Sequence, residues 1–452
     1  SYLSRFLRLL KTLLGESGAD GLELSDELAI FLRDVTGVLR QNAALLQGAV
    51  DAPARRTFMN AMGAANDRYR ASVYRGLSGD KARTGKTEIV ESVELALRYV
   101  EHSIAWGRRP DGLFHSYNLV RFGDDGYDVE PLDEMLEGQV AVLSSGHLTP
   151  QDAISLLEAL RASRLYREDQ NSYLLYPNRE LPAFLDKNRI PEQAVQASPW
   201  IRAELDAGRT RYVQQDLGGQ VHFNAGFRNG DCLRAALEED PAVDRQDRDR
   251  LCDLYEQVFR HHSFTGRSGS MYKYEGLGSI YWHMVSKLLL ATAEQVSEAV
   301  DAGVDTAVVD RLCECFLEIR DGLGMHKSPA EYGAFPQDPY SHTPGFTGVQ
   351  QPGLTGQVKE DLITRFRQLG VRVTGGVLSF QPVLLNRDEF LQEPASWSYS
   401  TGGPDRTEEL PAGSLAFTLC GVPVIYNTAG TARIQVFEEG GEPTVLDGPS
   451  LG

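Results

Sequence analysis

Apolar residues recur at three- and four-residue intervals through most of the first 369 positions, the spacing of helices with one buried face. The stretches "DELAIFLRDVTGVLRQNAALLQGAV" and "TEIVESVELALRYVEHSIAW" carry the pattern, and residues 2–110 read as successive helices. Further helical patterns fall at 131–144, 150–163, 191–206, 230–239, 243–262, 275–299, 303–320 and 355–369. The first segment, "SYLSRFLRLLKTLLG", is amphipathic, with Leu3, Phe6, Leu7, Leu10 and Leu14 expected on one face. Arg5, Arg8 and Lys11 interrupt the apolar run of a signal peptide, so packing against another helix is the expected use of that face.

After residue 369 the period changes. "VRVTGGVLSFQPVLL", "SLAFTLCGVPVIYN" and "ARIQVFEEGGEPTVLDG" are rich in β-branched and aromatic residues, with Gly-rich turns between them. The expected fold is mainly α: an (α/α)6 toroid of helical hairpins followed by a small C-terminal antiparallel β-sandwich. The expected organisation is 1–60 as N-terminal helices (linker or barrel start), 61–369 as the barrel and 370–452 as the β unit. Periodicity alone fits an irregular helical domain equally well. In a toroid, long loops gather at one end and build a cleft.

Composition narrows the function. The chain has 452 residues, 42% of them hydrophobic, and a net charge of −18. That balance argues against a nucleic-acid surface, which needs clustered Lys and Arg, and leaves neutral ligands such as sugars as the natural partners. Five cysteines without a CxxC pair fit reduced thiols in a cytoplasmic protein and support neither a disulfide framework nor a zinc site. No apolar run approaches the ~20 residues of a membrane span. The chain begins without Met, so a processed protein or a piece of a larger one is expected, with other domains or chains as partners.

Several segments carry candidate chemistry. "GDKARTGKT" (79–87) resembles a phosphate loop, but Asp80 stands where the motif needs Gly. It is better read as a helix entry with no strand before it and Thr87 near the cap. In "RRPDGLFHSYNLVRFGDDGYDVEPLDEMLEGQ", Asp124, Asp125 and Asp128 lack the spacing of a calcium loop and read as turn formers. "YREDQNSYLLYPNRELP" places Glu168 and Asp169 between aromatic residues, where an apolar setting can raise a carboxyl pKa and make a general acid. "DLGGQVHFNAGFRNGDCL" contributes His222. "HHSFTGRSGSMYKYEGLGSIYWHMVSK" adds Arg267, suited to an anion or hydroxyl-rich ligand, and Glu275, expected to open a helix that carries Trp282. Between two helices lies "EYGAFPQDPYSHTPGFTGVQQPGLTGQ" (331–357), long, aromatic and without Lys or Arg. Its Glu331, Tyr332, Asp338, Tyr340, His342, Thr343 and Gln351 suit a sugar cleft, since disordered segments are poor in aromatics and long ordered loops are usually functional.

Carboxyl sources on separate loops suit glycoside chemistry. An inverting hydrolase needs an acid and a base about 6.5–9.5 Å apart. A phosphorolytic enzyme of the same stereochemistry needs the acid and an anion pocket. The order of segments resembles the C-terminal region of inverting sugar phosphorylases of the cellobiose phosphorylase type. There an (α/α)6 barrel precedes a small β-sandwich ending in a strand like "VLDG". "EMLEGQVAVLSSG", "YREDQNSYLLYPNRELP", "FTGRSGSMYKYEGLGSIYWHMVSKLLLA" and "DPYSHTPGFTGVQQPGLTGQVKEDL" are similar to segments of large bacterial proteins related to those phosphorylases. The likeness spans residues 60–448. The Asp-Trp-Asn-Asp acid motif is absent, so no acid is carried over. "SPAEYG" is similar to the base segment of glucoamylase-like barrels, and "REDQN" to their acid segment.

The resemblance implies an enzyme that cleaves or transfers glycosyl units of a β-glucan-like oligosaccharide by inversion, as phosphorylase or hydrolase. No cofactor is implied beyond inorganic phosphate as co-substrate. Glu331 is expected as base or phosphate neighbour, Asp169 or Glu168 as acid and Glu275 as rival carboxylate. Arg267, His222, His342 and Thr343 would orient substrate or anion, Asp338 and Gln351 would add polar contacts, and Tyr332, Tyr340 and Trp282 would stack on sugar faces. The competing expectation is a non-catalytic glycan-binding or assembly domain.

Overall fold

The computed structural model describes residues 2–178, 184–259, 280–323, 326–332, 340–343, 351–352, 357–429, 433–437, 444–447 and 450–451. The chain divides into two compact units: Ser1–Tyr176 with Ser279–Gly452, and Pro177–Gly278.

The first unit opens with helices α1 (Tyr2–Glu16), α2 (Asp26–Gln41), α3 (Ala52–Arg75) and α4 (Lys86–Trp106). Local chemistry sets two of the starts. The Ser25 hydroxyl accepts from the Leu28 N–H, and the Asp51 carboxylate from the Ala54 N–H, with Pro53 in the first turn of α3. Leu7 and Leu14 of α1 pack against Ile89, Val93 and Leu97 of α4. Leu10 joins them, but Leu3 and Phe6 are exposed, so the buried face is narrower than expected. The cations of α1 pair with carboxylates: Arg5 with Glu294 at 3.2 Å, Lys11 with Glu94 at 2.9 Å, and Arg8 with Glu101.

Two short strands interrupt the helical series. Gly21–Ser25 and Lys81–Gly85 pair antiparallel across the intervening α2 and α3. This corrects the reading of residues 79–87: a strand does precede the helix, and Gly85 rather than Thr87 stands at the cap of α4. The Lys86 ammonium donates to the Ser17 carbonyl at 2.8 Å, which ties the end of α1 to the start of α4. In the next segment Asn118–Phe122 pairs with Tyr127–Pro131 around a turn that contains Asp124 and Asp125, while Asp128 lies in the second strand opposite Arg121. Helices α5 (Leu136–Leu143) and α6 (Pro150–Arg161) follow, α6 starting at a proline behind a Thr149 cap.

The second unit holds α7 (Phe184–Lys187), α8 (Glu192–Ala197), α9 (Pro199–Asp206), α10 (Gly230–Glu238) and α11 (Arg245–Phe259), with a hairpin of Val213–Gln215 and Val221–Phe223. The single helix expected at 191–206 is split because Ser198 caps a new helix that begins at Pro199. Ile201, Tyr212, Val213, Phe223, Leu233, Leu237 and Tyr255 form a core belonging to this unit alone. Burying each large apolar side chain contributes about 1.5–3 kcal/mol.

Back in the first unit come α12 (Trp282–Asp301), α13 (Thr306–Asp321), α14 (Pro329–Tyr332) and α15 (Gln357–Gln368). The helix expected from 275 begins at Trp282, because Ile280 and Tyr281 are strand residues paired with Thr343 and His342. Helix α12 packs against α5, α6, α13 and α15, and its Trp282, Val285, Leu288, Ala291, Ala293 and Ala299 are fully buried. It is apolar on several faces, as a central helix must be.

The β region expected after residue 369 consists of hairpins. Val371–Thr374 pairs with Val377–Phe380 across Gly375–Gly376, whose φ values of +58° and +83° suit the two-residue turn that matches strand twist. Ala395–Tyr399 pairs with Arg406–Leu410, Ser414–Leu419 with Val422–Asn427, and Arg433–Val436 with Thr444–Asp447. Ser450–Leu451 adds a third strand to Val377–Phe380. Among the described residues no helix is long and apolar enough to cross a membrane.

Candidate functional site

The first unit has a short-loop end and a long-loop end. Residues 144–149 join α5 to α6, and residues 302–305 join α12 to α13. Gln295, late in α12, donates to the Leu143 carbonyl at the end of α5 at 3.0 Å. Arg311 meets Glu158 at 3.0 Å, and Arg161 lies 3.7 Å from Glu318, so the ends of α6 and α13 lie together. The described parts of the long connections (107–135, 162–176, 322–323, 326–332, 340–343 and 351–352) therefore gather where α5, α12 and α15 begin.

Three segments meet at the start of α12. The first is a sheet: Ile280–Tyr281 pairs with Tyr340–Thr343, which pairs in turn with Gln351–Pro352. It brings the backbones of Tyr340, His342, Thr343 and Gln351 alongside the entry to Trp282; their side chains lie outside the described residues. The second is a single turn of 3₁₀ helix, Glu168–Gln170, held between Tyr166–Arg167 and Ser172–Tyr173 and closed by Asn171 at φ 43°. The Tyr166 hydroxyl donates to the Asn171 side chain at 2.8 Å, which supports that left-handed conformation. Gly322, just past α13, packs against this turn so closely that a Cβ there would sit 2.0 Å from the Asn171 carbonyl oxygen. The third segment is Lys327–Tyr332. Ser328 and Glu331 form a capping box around α14: the Glu331 carboxylate accepts from the Ser328 N–H at 3.0 Å and hydroxyl at 2.8 Å, and the Glu331 N–H donates back to that hydroxyl at 3.3 Å. Those two donors, helped by Lys327, hold the Glu331 carboxyl below the usual range.

The structure thus brings together Asp169, Glu331 and Trp282 from the residues expected on sequence. Gln170 donates to the Glu331 carbonyl at 2.9 Å, and Lys327 donates to the Gln170 carbonyl. The Lys327 ammonium lies 5.2 Å from the centre of the fully buried Trp282 ring. Both Asp169 oxygens accept from Arg167, at 2.8 and 2.9 Å, a bidentate pair that makes Asp169 an acceptor in this arrangement. Glu168 is exposed beside it. His222 belongs to the second unit, where its Nδ1 contacts the Asn188 carbonyl and its Nε2 the Asp216 carboxylate at 3.0 Å, so both ring nitrogens are engaged within that unit. Arg267, Glu275 and Asp338 lie outside the described residues, as does the Tyr332 side chain.

Sequence reasoning passed over Lys327. Burial pushes its pKa down to about 8, against the pull of Asp169 and Glu331. It also passed over the seam between α12 and α15. There the Tyr281 hydroxyl and His283 Nδ1 are 3.1 Å apart, and His283 Nε2 lies 3.3 Å from the buried Glu360 carboxylate. Burial pushes the neighbouring Asp361 carboxyl up to about 6. Among the described residues no group of His, Cys, Asp and Glu could hold a metal ion.

No curated protein matches the chain. Residues 181–262 match the family described as GH149 phosphorylase insertion domain 2, and they fall within the separate unit Pro177–Gly278. The match lies on the inserted unit and not on the helical body, and it relates the chain to the glycoside phosphorylases of family 149.

Proposed function

We propose that the chain is a carbohydrate-active enzyme that phosphorolyses a β-glucan-like oligosaccharide by inversion at the long-loop end of its helical body. The observation that carries this reading is the match of the inserted unit to a phosphorylase insertion domain. It is supported by the convergence of Asp169, Glu331 and Trp282 at the entry to α12. In this reading α5–α6 and α12–α13 are hairpins of an (α/α)6 toroid, and the C-terminal hairpins belong to a small sandwich.

Inverting phosphorolysis asks for a protonated acid at the glycosidic oxygen and a phosphate oxygen attacking the anomeric carbon from the opposite face. A β-linked donor then gives an α-sugar 1-phosphate. The strand Tyr340–Thr343 borders the sugar, while Trp282, fully buried beneath Lys327, supports the site and is not a stacking surface as expected from sequence. Glu331 neighbours the anion, its carboxylate fixed by Ser328. The acid of the Glu168–Asp169 turn is then Glu168, since both Asp169 oxygens accept from Arg167, with Glu275 as its rival; Asp361 supplies a further protonatable carboxyl one turn along the α12 seam.

Incubation with a panel of gluco-oligosaccharides, with and without phosphate, tests the reading. Sugar 1-phosphate formed only with phosphate is expected. Phosphate-independent release would replace phosphorolysis by hydrolysis. One observation favours the second reading, a non-catalytic glycan-binding or assembly domain: Asp169 is committed to Arg167, and Glu331 to its capping box. Binding without turnover would favour that alternative.

A further inference from the structure

Lys327 lies between the two segments that bear the candidate carboxylates, yet the reaction proposed above gives it no task. Its ammonium donates to the Gln170 carbonyl, and the Gln170 side-chain oxygen lies 3.4 Å away. Gln170 donates in turn to the Glu331 carbonyl at 2.9 Å. Beneath the ammonium is the Trp282 ring at 5.2 Å. The charged groups that face it are Asp169 and Glu331, which attract it, and Arg167, which repels it and is itself paired with Asp169.

We infer that Lys327 is a positioning residue of this site: it ties the Glu168–Gln170 turn to the segment ending in Glu331 across the face of Trp282. The inference rests on the proposed reading for its effect on turnover, but the clamp itself is a structural claim. Attraction to the indole face and to the two carboxylates needs the positive charge. A methionine in its place loses both attractions and the hydrogen bond to the Gln170 carbonyl. The segments then drift, and displacement of catalytic groups by about 1 Å can cost about 10²-fold in rate.

The sign of the pH dependence follows from burial. Lys327 loses its proton in the folded chain near pH 8, below the value of a free lysine. Between those two values the unfolded chain holds more protons, so this group's contribution to stability rises with pH. Deprotonation above pH 8 therefore does not loosen the fold, and the neutral amine keeps its hydrogen bond to the Gln170 carbonyl.

The test compares Lys327→Met and Lys327→Arg with the parent chain in two readouts. The first is turnover against pH on a gluco-oligosaccharide with phosphate. The parent should keep its activity through pH 8. Lys327→Met should lower kcat about 10²-fold, with KM little changed, across the pH range. Lys327→Arg should restore part of kcat, because a guanidinium can still donate to the Gln170 carbonyl. The second readout is tryptophan fluorescence against pH. A step near pH 8 is expected in the parent and not in Lys327→Met. Equal kcat in Lys327→Met, or a fluorescence step that persists in that variant, would overturn the inference. If the chain shows no turnover with any glycan, the proposed reaction fails while the fluorescence titration still decides the clamp.

Discussion

The inserted unit and the long-loop end of the helical body use polar side chains in opposite ways. In the inserted unit they close the local structure. Asn188 both donates to the Phe223 carbonyl, at 2.8 Å, and accepts from its N–H, at 3.0 Å. His222 spans two acceptors, and the Tyr212 hydroxyl reaches Ala236 and Asp240 at 3.0 Å each. At the loop end a half-buried ammonium lies over an indole, a turn depends on a left-handed asparagine, and a glycine admits a carbonyl where no side chain fits. Features that work against folding and persist are a reason to look for function there. The family match falls on the first kind of region and the candidate chemistry on the second. A recognised domain therefore need not be where the reaction occurs.

The largest effect should come from Asn188→Ala. It leaves the buried Phe223 N–H and carbonyl without partners, at about 1–3 kcal/mol each. Hydrogen exchange should show lost protection at 213–223 and unchanged protection in α5 and α12. Loss spreading evenly through both units would break the distinction between them. Gly322→Ala should act on the other region. Its Cβ must displace the Asn171 carbonyl, an overpacking cost of about 1–3 kcal/mol. Turnover should fall far more than thermal stability does. An active Gly322→Ala enzyme would show that the turn's position is immaterial. The smallest effect is expected from His222→Gln, with turnover within about twofold of the parent, as for a side chain away from the chemistry. A large loss of turnover would return His222 to the substrate-binding set.

The elements legible in the sequence are those whose cause is local. Helix α6 begins where Thr149 and Pro150 say it should, and the helix expected at 303–320 appears at Thr306–Asp321 behind an Asp305 cap. The hairpin at Val371–Phe380 follows from its Gly-Gly turn. Strands paired at long range were hidden. Gly21–Ser25 and Lys81–Gly85 exist only through each other, and Tyr281 is a strand residue only because His342 lies beside it. The boundary of the inserted unit was hidden for a similar reason: its helices have the same period as those of the body, and only their contacts separate them.

The site was half legible. Asp169, Glu331 and Trp282 were named from local composition, and the fold brings their segments together. Lys327 could not be named that way. Nothing in "HKSPAEY" singles out its lysine, and its role depends on Gln170, 157 positions earlier in the chain. The Ser328–Glu331 box carries a sequence signature of its own, S-x-x-E before a helix. That signature explains why a segment resembling a catalytic base motif also has a structural duty.

On the proposed reading, carbohydrate is handled at the loop end of the body. Hydrogen exchange of the whole chain with a gluco-oligosaccharide and phosphate tests it most directly. New protection at 166–175, 280–285 and 326–332, with 184–259 unchanged, is the predicted result. Protection confined to 184–259 would contradict the account and move the site into the inserted unit.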